Sequence, residues 1–168
     1  IFRSISPDIT IFMGAYDTNF DWNMAREEIV RYTTGFMNIL SAFSVVKSGR
    51  FVYLSSQEVF GNPRGKSISE EETLSPKGFK AMALAQGEEI CSNYRRAQGL
   101  DIMVLRFDNV YGIPGKNRRE DNPCFRMCLE ALKTSCISAN GRHAFSMLYL
   151  NDAIELAYKA ITEATPKE

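Results

Sequence analysis

The sequence predicts an α/β fold with a mainly parallel sheet, and three features of the chain lead to that prediction. Short apolar runs alternate with long stretches in which apolar residues recur every three or four positions, the pattern of strands alternating with helices. Two of the apolar runs are followed at once by polar side chains, as at the ligand-binding edge of a parallel sheet. The chain has 168 residues, of which 45% are apolar, enough to bury the core of one domain.

The composition gives no support to several classes of function. The formal net charge is zero, so nothing favours nucleic acid or an anionic membrane as a partner. No apolar run approaches the roughly 20 residues that span a bilayer, and we expect no membrane segment. The chain begins without an initiator methionine or a signal-peptide pattern, so we expect it to start within a longer protein.

The cysteines and the single histidine do not have the spacing of a metal site. A zinc site needs a tighter Cys-x2-Cys pair or a second histidine, so we predict no metal. We expect buried and reduced thiols, which fits a cytoplasmic protein. The four cysteines are Cys91, Cys124, Cys128 and Cys136.

The first predicted elements are a strand and a long helix. Asp8–Ala15 reads as a strand whose last residues, Gly14 and Ala15, are small enough to let a ligand approach, although a tight turn would explain them equally well. A helix is predicted over about 21–47, with Gly35 in its middle marking close helix packing. Its inward face is predicted to contain Ala25, Ile29, Tyr32, Phe36, Leu40 and Phe43.

The stretch Phe51–Gly61 organises the rest of the chain. Its first residues read as a buried strand, and Ser55, Ser56 and Glu58 follow at the strand end. In open α/β sheets the ligand crevice lies at this carboxyl edge. The stretch therefore predicts a functional site that begins at the two serines.

A second long helix and a second strand with a polar end come next. Ser75 is predicted to cap a helix over about 77–97, with Ala81, Leu84, Ala85, Glu88, Cys91 and Tyr94 near one face. Asp101–Leu105 reads as a buried strand, and the polar stretch Arg106–Gly112 follows it.

The last part of the chain predicts two helices separated by a strand. A helix is predicted over Pro123–Thr134, with Phe125, Cys128, Leu129 and Leu132 turned inward. Ile137 is a candidate strand residue, and Phe145–Leu150 reads as a further strand. Asn151 and Asp152 are predicted to cap a final helix that buries Ile154, Leu156, Ala157 and Ile161.

Several of these segments, taken in order, resemble one protein family. The matching pieces are Pro7-Asp8 with its strand, Gly35, Asn38-Ile39-Leu40, Phe51–Gly61, Gly87-Glu88, Tyr94, Gly99-Leu100, Leu105–Gly112 and Tyr149–Asp152. Together they resemble the extended short-chain dehydrogenase/reductase family, and within it the NAD-dependent nucleotide-sugar epimerases and dehydratases. The resemblance implies a Rossmann-like doubly wound parallel sheet, of which this chain would be the C-terminal two-thirds. It further implies one domain over 1–168, with a partial Rossmann core over 1–112 and a substrate-side segment over 113–168.

The resemblance also implies a cofactor, a substrate and candidate site residues. The cofactor would be NAD or NADP, and the substrate a nucleotide sugar whose hydroxyl is oxidised by hydride transfer. Ser56 matches the residue that holds this hydroxyl, and Glu58 matches an acid of the dehydratases, although Gln57 replaces the aspartate before it. Gly14, Ala15 and Ser55 are candidates for cofactor binding; Asn109 and Arg142 are candidates for substrate binding.

Each candidate also has a plain structural explanation. Ser56 could satisfy backbone groups at the strand end, Glu58 could be a solvated acid, and Asn109 could shape a turn. Arg106 is more simply a structural ion pair than a ligand. Arg142 lies near, but not at, the place of the family's phosphate-binding arginine, which Phe145 and Ser146 occupy.

Two departures from the family pattern concern the chemistry itself. No Gly-x-Gly-x-x-Gly turn is present for a pyrophosphate. The resemblance implies that a tyrosine takes the hydroxyl proton and that a lysine four residues later lowers the pKa of this tyrosine, but none of the seven tyrosines has such a lysine. Counted back from Gly87, Lys80 and Leu84 take the two places; the other registers put Phe79 and Ala83, Ala81 and Ala85, or Lys77 and Ala81 there.

We therefore interpret the chain as a family member that is catalytically impaired as given. The alternatives are an active protein that uses Glu58 with Ser56 for acid/base work, and a non-catalytic binding or assembly module. A homodimer through helices 21–47 and 77–97 is expected, since the resemblance implies pairing there.

Overall fold

A computed structural model describes most of the chain. The described residues are 2–14, 22–61, 67–107, 109–112, 123–137 and 146–163. They form two compact units, Ile1–Arg106 with Ile161–Glu168 and Phe107–Ala160. The single-domain organisation therefore stays a prediction, and each unit is described by itself.

The first unit alternates helices and strands, which confirms the α/β class. Its elements are α1 (Phe2–Ile5), β1 (Ile9–Phe12), a 3-10 helix (Trp22–Met24), α2 (Ala25–Val46), β2 (Arg50–Ser56), a second 3-10 helix (Gln57–Phe60), α3 (Phe79–Gln98) and β3 (Ile102–Phe107). The three strands form one sheet in the order β1-β2-β3. β1 and β2 are parallel, with Ile9 opposite Arg50 and Phe12 opposite Tyr53. The central position of β2 explains why it is the most buried strand.

Aromatic side chains of α2 and β2 form the centre of the core. The Phe36 ring lies 5.1 Å from the Tyr53 ring, and the Phe43 ring lies 5.3 Å from the Phe51 ring, measured between centroids. Rings at such distances and tilted angles pack favourably beyond the area that they bury. The predicted inward face of α2 is confirmed for its middle and end, whereas Ile29 near its start is exposed.

The ends of the two long helices are set by backbone conformation. Lys47 ends α2 in the left-handed region, and Gly49 follows at φ +76° with no room for a Cβ, which would lie 2.3 Å from the Asp8 carbonyl oxygen. α3 begins after Gly78, so the predicted cap at Ser75 is wrong. The backbone N–H of Ser75 instead donates to the Val59 carbonyl at 3.0 Å, which holds it outside the helix.

Two glycines in the long helices have opposite surroundings. A Cβ on Gly87 would lie 2.1 Å from the Tyr53 hydroxyl oxygen, so glycine lets α3 approach β2 closely. A Cβ on Gly35 would meet no heavy atom of the described residues within 4 Å. Among the described residues, the expectation that Gly35 marks close packing is therefore wrong.

α2 contains a long apolar stretch. The stretch Arg26–Val46 is long and apolar enough to cross a membrane by length and composition, with a mean hydropathy of 1.2. The expectation that no such run exists is therefore wrong for this helix. Phe36, Leu40 and Phe43 nevertheless lie in the core, as in a helix packed on a sheet. Val30 and Val45 are exposed apolar residues of the same helix.

In its described residues, the second unit contains two short parallel strands and two helices. β4 (Asn109–Tyr111) pairs with β5 (Met147–Tyr149), and the helices are α4 (Pro123–Thr134) and α5 (Leu150–Glu163). The predicted bounds of α4 are confirmed, but Cys128 and Leu132 are exposed rather than inward, and Ile137 lies outside any strand.

The predicted buried side of α5 is confirmed at Ile161 and is wrong at two positions nearer the helix start. Ile154 and Leu156 are exposed, whereas Ala153 is buried and Ala157 half-buried. Residues four apart share one face of a helix. The inward stripe therefore starts at Ala153, one position before the predicted Ile154.

Candidate active site at the end of the central strand

The two serines at the end of β2 point to opposite faces of the sheet. Successive side chains of a strand alternate between faces, so Ser55 joins the side that contains Phe51 and Tyr53. Ser55 is buried, and Ser56 is half-buried. Neighbours in sequence therefore have separate surroundings and separate partners.

Ser55 belongs to a buried cluster with an ion pair. Its hydroxyl donates to Glu88 Oε1. Arg106 donates to both oxygens of the same carboxylate, from Nε at 3.1 Å and from Nη2 at 2.7 Å. Glu88 is 6% exposed, and the Arg106 side chain is 26% exposed. The explanation of Arg106 as a structural ion pair is confirmed, while the cofactor-lining role of Ser55 stays a prediction.

Arg106 also connects this cluster to the segment that precedes α3. Its guanidinium lies 4.8 Å from the centroid of the Phe60 ring, and its Nη1 donates to the Glu70 carbonyl oxygen at 3.0 Å. A cation over an aromatic face is attracted by the ring quadrupole. The Arg106 side chain thus contacts the second 3-10 helix, α3 and the segment that precedes α3.

Ser56 starts the 3-10 helix that carries Glu58. Its Oγ accepts a hydrogen bond from the Glu58 backbone N–H at 3.2 Å, with extended backbone at φ −139°. This is the geometry of a serine that caps a helix start. A hydroxyl that accepts one bond still has a proton to donate, so Ser56 can also donate to an incoming oxygen.

Glu58 is paired with Lys80 in the second position of α3. Lys80 Nζ donates to Glu58 Oε1 at 2.9 Å, and the two side chains are 39% and 48% exposed. The pair therefore lies at the surface, beside the end of β2. The sequence identified both residues by their register but did not indicate that they meet.

The position four residues after Lys80 is part of the core. Leu84 is buried, and its carbonyl oxygen accepts a hydrogen bond from the Tyr53 hydroxyl at 3.4 Å. Tyr53 is itself fully buried, and burial, followed by its hydrogen bond with Tyr32, raises its pKa far above the usual range. Neither residue offers a proton acceptor to the site.

The remaining candidate residues lie elsewhere or outside the described part of the chain. Gly14 follows β1, and a Cβ there would lie 2.3 Å from the end of the Phe12 ring. Asn109 is in the second unit, where its Nδ2 donates to the Ser146 carbonyl oxygen at 3.2 Å. Ala15 and Arg142 lie outside the described residues. In the described part of the chain, no group of three or more His, Cys, Asp or Glu could hold a metal ion.

Comparison with protein families and curated proteins gives matches of one kind. The sequence model of the NAD dependent epimerase/dehydratase family matches residues 1–168. The human dTDP-D-glucose 4,6-dehydratase is 25% identical over 170 residues, covering 100% of this chain and 48% of the relative. UDP-glucuronate 4-epimerase 4 of Arabidopsis thaliana is 31% identical over 137 residues, covering 77% of this chain and 31% of the relative. The chain thus spans at most about half the length of these relatives.

Solved structures have the same fold over nearly the whole chain. UDP-glucuronic acid 4-epimerase from Bacillus cereus, in complex with UDP-glucuronic acid and NAD, superposes with a TM-score of 0.79. The two sequences are 21% identical, and the match covers 98% of this chain and 52% of the epimerase. TunA, an NAD-dependent NDP-hexosamine 5,6-dehydratase, superposes with a TM-score of 0.77 at 20% identity, covering 98% of this chain and 55% of TunA. These structures confirm the Rossmann-like α/β fold.

Proposed function

This chain belongs to the NAD-dependent epimerase/dehydratase family, and on that premise we propose that it binds a nucleotide sugar without catalysing hydride transfer. The observation that carries the proposal is the contact between Lys80 Nζ and Glu58 Oε1 beside Ser56, at 2.9 Å. It puts an ion pair at the end of β2, where oxidation of a sugar hydroxyl needs a proton acceptor.

The chemistry of the paired side chains supports this conclusion. Oxidising a hydroxyl by hydride transfer requires a base to take the hydroxyl proton. The Lys80 ammonium has only donors, and it already donates to Glu58. Leu84, buried in the core, has no polar group with which to activate a base.

The proposed ligands follow from the relatives and from the groups at the strand end. The epimerase from Bacillus cereus is in complex with UDP-glucuronic acid and NAD. We propose that Ser56 and Glu58 face the sugar of such a ligand. Asn109, in the second unit, and Arg142, outside the described residues, keep the substrate-binding role that the family resemblance implies as a prediction. NAD or NADP would meet the chain at Gly14, Ala15 and Ser55.

One observation favours the alternative of an active protein. Glu58 is about half exposed and is held beside the Ser56 hydroxyl by the backbone bond between them. If the Glu58 carboxylate left its ion pair with Lys80 and contacted a substrate, it could serve as the acid or base. The protein would then be an epimerase or dehydratase that uses Glu58 with Ser56.

Turnover and binding measurements on the same variants separate these functions. The chain is incubated with NAD and either UDP-glucuronic acid or dTDP-glucose. If a longer translated protein contains the chain, that protein is tested in the same way. We expect no cofactor reduction and no altered sugar. In calorimetry, Ser56→Ala should weaken sugar-nucleotide binding about fivefold, the effect of one hydrogen bond of about 1 kcal/mol. Turnover that disappears in Ser56→Ala would refute the proposal and establish the alternative.

A second serine provides the control for these measurements. Ser44 lies on α2, where its Oγ donates to the Ser41 carbonyl oxygen at 2.8 Å within the helix. Ser44→Ala should leave binding unchanged. If it weakens binding as much as Ser56→Ala does, the loss reflects general destabilisation, and the placement of the sugar at Ser56 is wrong.

We also propose that the chain forms a homodimer through α2 and α3 in the cytoplasm. A groove of about 270 Å³ is lined by residues of both helices: Ile29, Phe79, Met82, Ala83 and Gln86. Met82 is 57% exposed beside it, and Val30 and Val45 are exposed apolar residues of α2. Apolar helix faces of this kind are covered when a second copy packs against them.

A further inference from the structure

The cysteines of α4 form a pair outside the strand-end site. Cys124 and Cys128 are four residues apart in the helix, so they lie on the same face one turn from each other. Their thiols are close enough to influence each other.

This face of α4 is open to solvent. Cys128 is exposed and Cys124 is half-buried. Leu132, the next residue of the same four-residue series, is 84% exposed. A small reagent can therefore reach both sulfur atoms without unfolding the helix.

The helix geometry disfavours a direct bond between the two sulfur atoms. Cβ atoms four residues apart in a helix are about 5–6 Å apart, whereas a disulfide needs a Cβ separation of about 3.5–4.5 Å. A single soft atom that bonds to both thiolates, with bonds of about 2.3 Å, holds the two sulfur atoms roughly 3.8 Å apart. This separation is much longer than a direct sulfur–sulfur bond, so it suits the wider Cβ separation of the helix. An intact helix fits the bridged arrangement and resists the disulfide.

We propose that Cys124 and Cys128 form a two-thiol binding site for a soft, thiophilic metal or metalloid ion that is satisfied by two sulfur ligands. Two ligands from one helix are too few for a closed tetrahedral zinc site. Soft ions such as monovalent copper, and trivalent arsenicals, select thiolates over oxygen or nitrogen ligands. The site is independent of the residues at the end of β2.

Phenylarsine oxide is a suitable probe because its reaction with two thiols is balanced without an oxidant. Two S–H bonds break, two As–S bonds form, and the arsenic-bound oxygen leaves as water. The two bonds to one molecule act together, so binding should be at least about 100-fold tighter than to a single thiol. The helix should keep its circular dichroism, since the bridge fits the helical spacing.

Single cysteine variants of the whole chain test the site. Binding of the arsenical is followed by its protection of thiols from a chromogenic thiol reagent. Cys124→Ser and Cys128→Ser should each lower the affinity at least about 100-fold, while Cys136→Ser, the loss of an unpaired exposed thiol, should leave it unchanged. Circular dichroism checks that each variant is folded, and Cys124→Ala replaces Cys124→Ser if that variant is not.

Two outcomes would overturn the proposal. One is a variant lacking Cys124 or Cys128 that binds the arsenical as tightly as the unchanged chain does. The other is a disulfide between the two cysteines, formed with oxidised glutathione, that leaves the helical signal intact. The second result would mean that the pair is a redox couple and that the spacing argument is wrong.

Discussion

The buried pair of Glu88 and Arg106 gives the most specific test of the fold. The perturbation is Arg106→Met, which keeps an unbranched apolar side chain and removes the guanidinium with its charge. Glu88 would keep the Ser55 hydroxyl but lose three hydrogen bonds from the guanidinium. At 6% exposure, its carboxylate cannot recover them from water without moving the helix.

The size of the effect follows from the burial of the two partners. Removing one member of a buried ion pair typically costs 3–5 kcal/mol, because a charge stays buried without a partner. The Arg106 side chain is 26% exposed, so some water reaches the pair, and we expect a loss of about 3 kcal/mol. Replacing both residues removes the stranded charge, so Glu88→Met with Arg106→Met should cost only about 1 kcal/mol, mainly for the unpaired Ser55 hydroxyl.

Urea titration followed by circular dichroism measures the free energy of unfolding of each variant. The exposed pair of Lys159 and Glu155 provides the control, since the same change at Lys159 should cost less than about 0.5 kcal/mol. A loss below about 1 kcal/mol for Arg106→Met would refute the reasoning. So would a double variant as unstable as the sum of the single ones, because the two residues would then not be coupled.

Two further predictions concern α2 and α3. Gly87→Ala should destabilise the chain by about 1–3 kcal/mol, because the new Cβ would lie 2.1 Å from the Tyr53 hydroxyl oxygen. Gly35→Ala should stabilise the chain by up to about 1 kcal/mol, because the described residues leave open space there and alanine favours the helix. Thermal unfolding measures both, and equal effects at the two sites would contradict the packing described at Gly87. Met82→Glu should convert the proposed dimer to monomer in sedimentation velocity, whereas Leu132→Glu, the same kind of change on α4, should not. A wild-type chain that sediments only as a monomer at micromolar concentration would rule out the dimer.

The elements with strong periodicity could be predicted from the sequence. The inward face of α2 follows from Phe36, Leu40 and Phe43. These residues are four and three positions apart, the spacing of one helix face. β2 and its polar end can be predicted from Phe51–Gly61 because a run of four apolar residues precedes the two serines. Local patterns were sufficient because these elements pack at the centre of the first unit.

Contacts between distant elements could not be predicted in this way. Glu88 is an acid on a largely apolar helix face and Arg106 a base at the end of a buried strand, but only the folded structure shows that these two side chains meet. The contact between Lys80 and Glu58 could not be predicted either, because Lys80 lies in the first turn of α3 and Glu58 lies in the 3-10 helix that follows β2. The start of α3 itself was misjudged because a long-range backbone bond at Ser75 overrides the local capping signal.

The opposite orientations of Ser55 and Ser56 bear on how this gene can vary. A substitution at either position changes one hydroxyl and leaves the other in its own surroundings. Loss or gain of a single codon within β2 would turn one serine to the other's face, and every side chain beyond the change would follow it. Natural variants of this strand should therefore differ by substitution at constant length, with insertions and deletions confined to the segments on either side of β2.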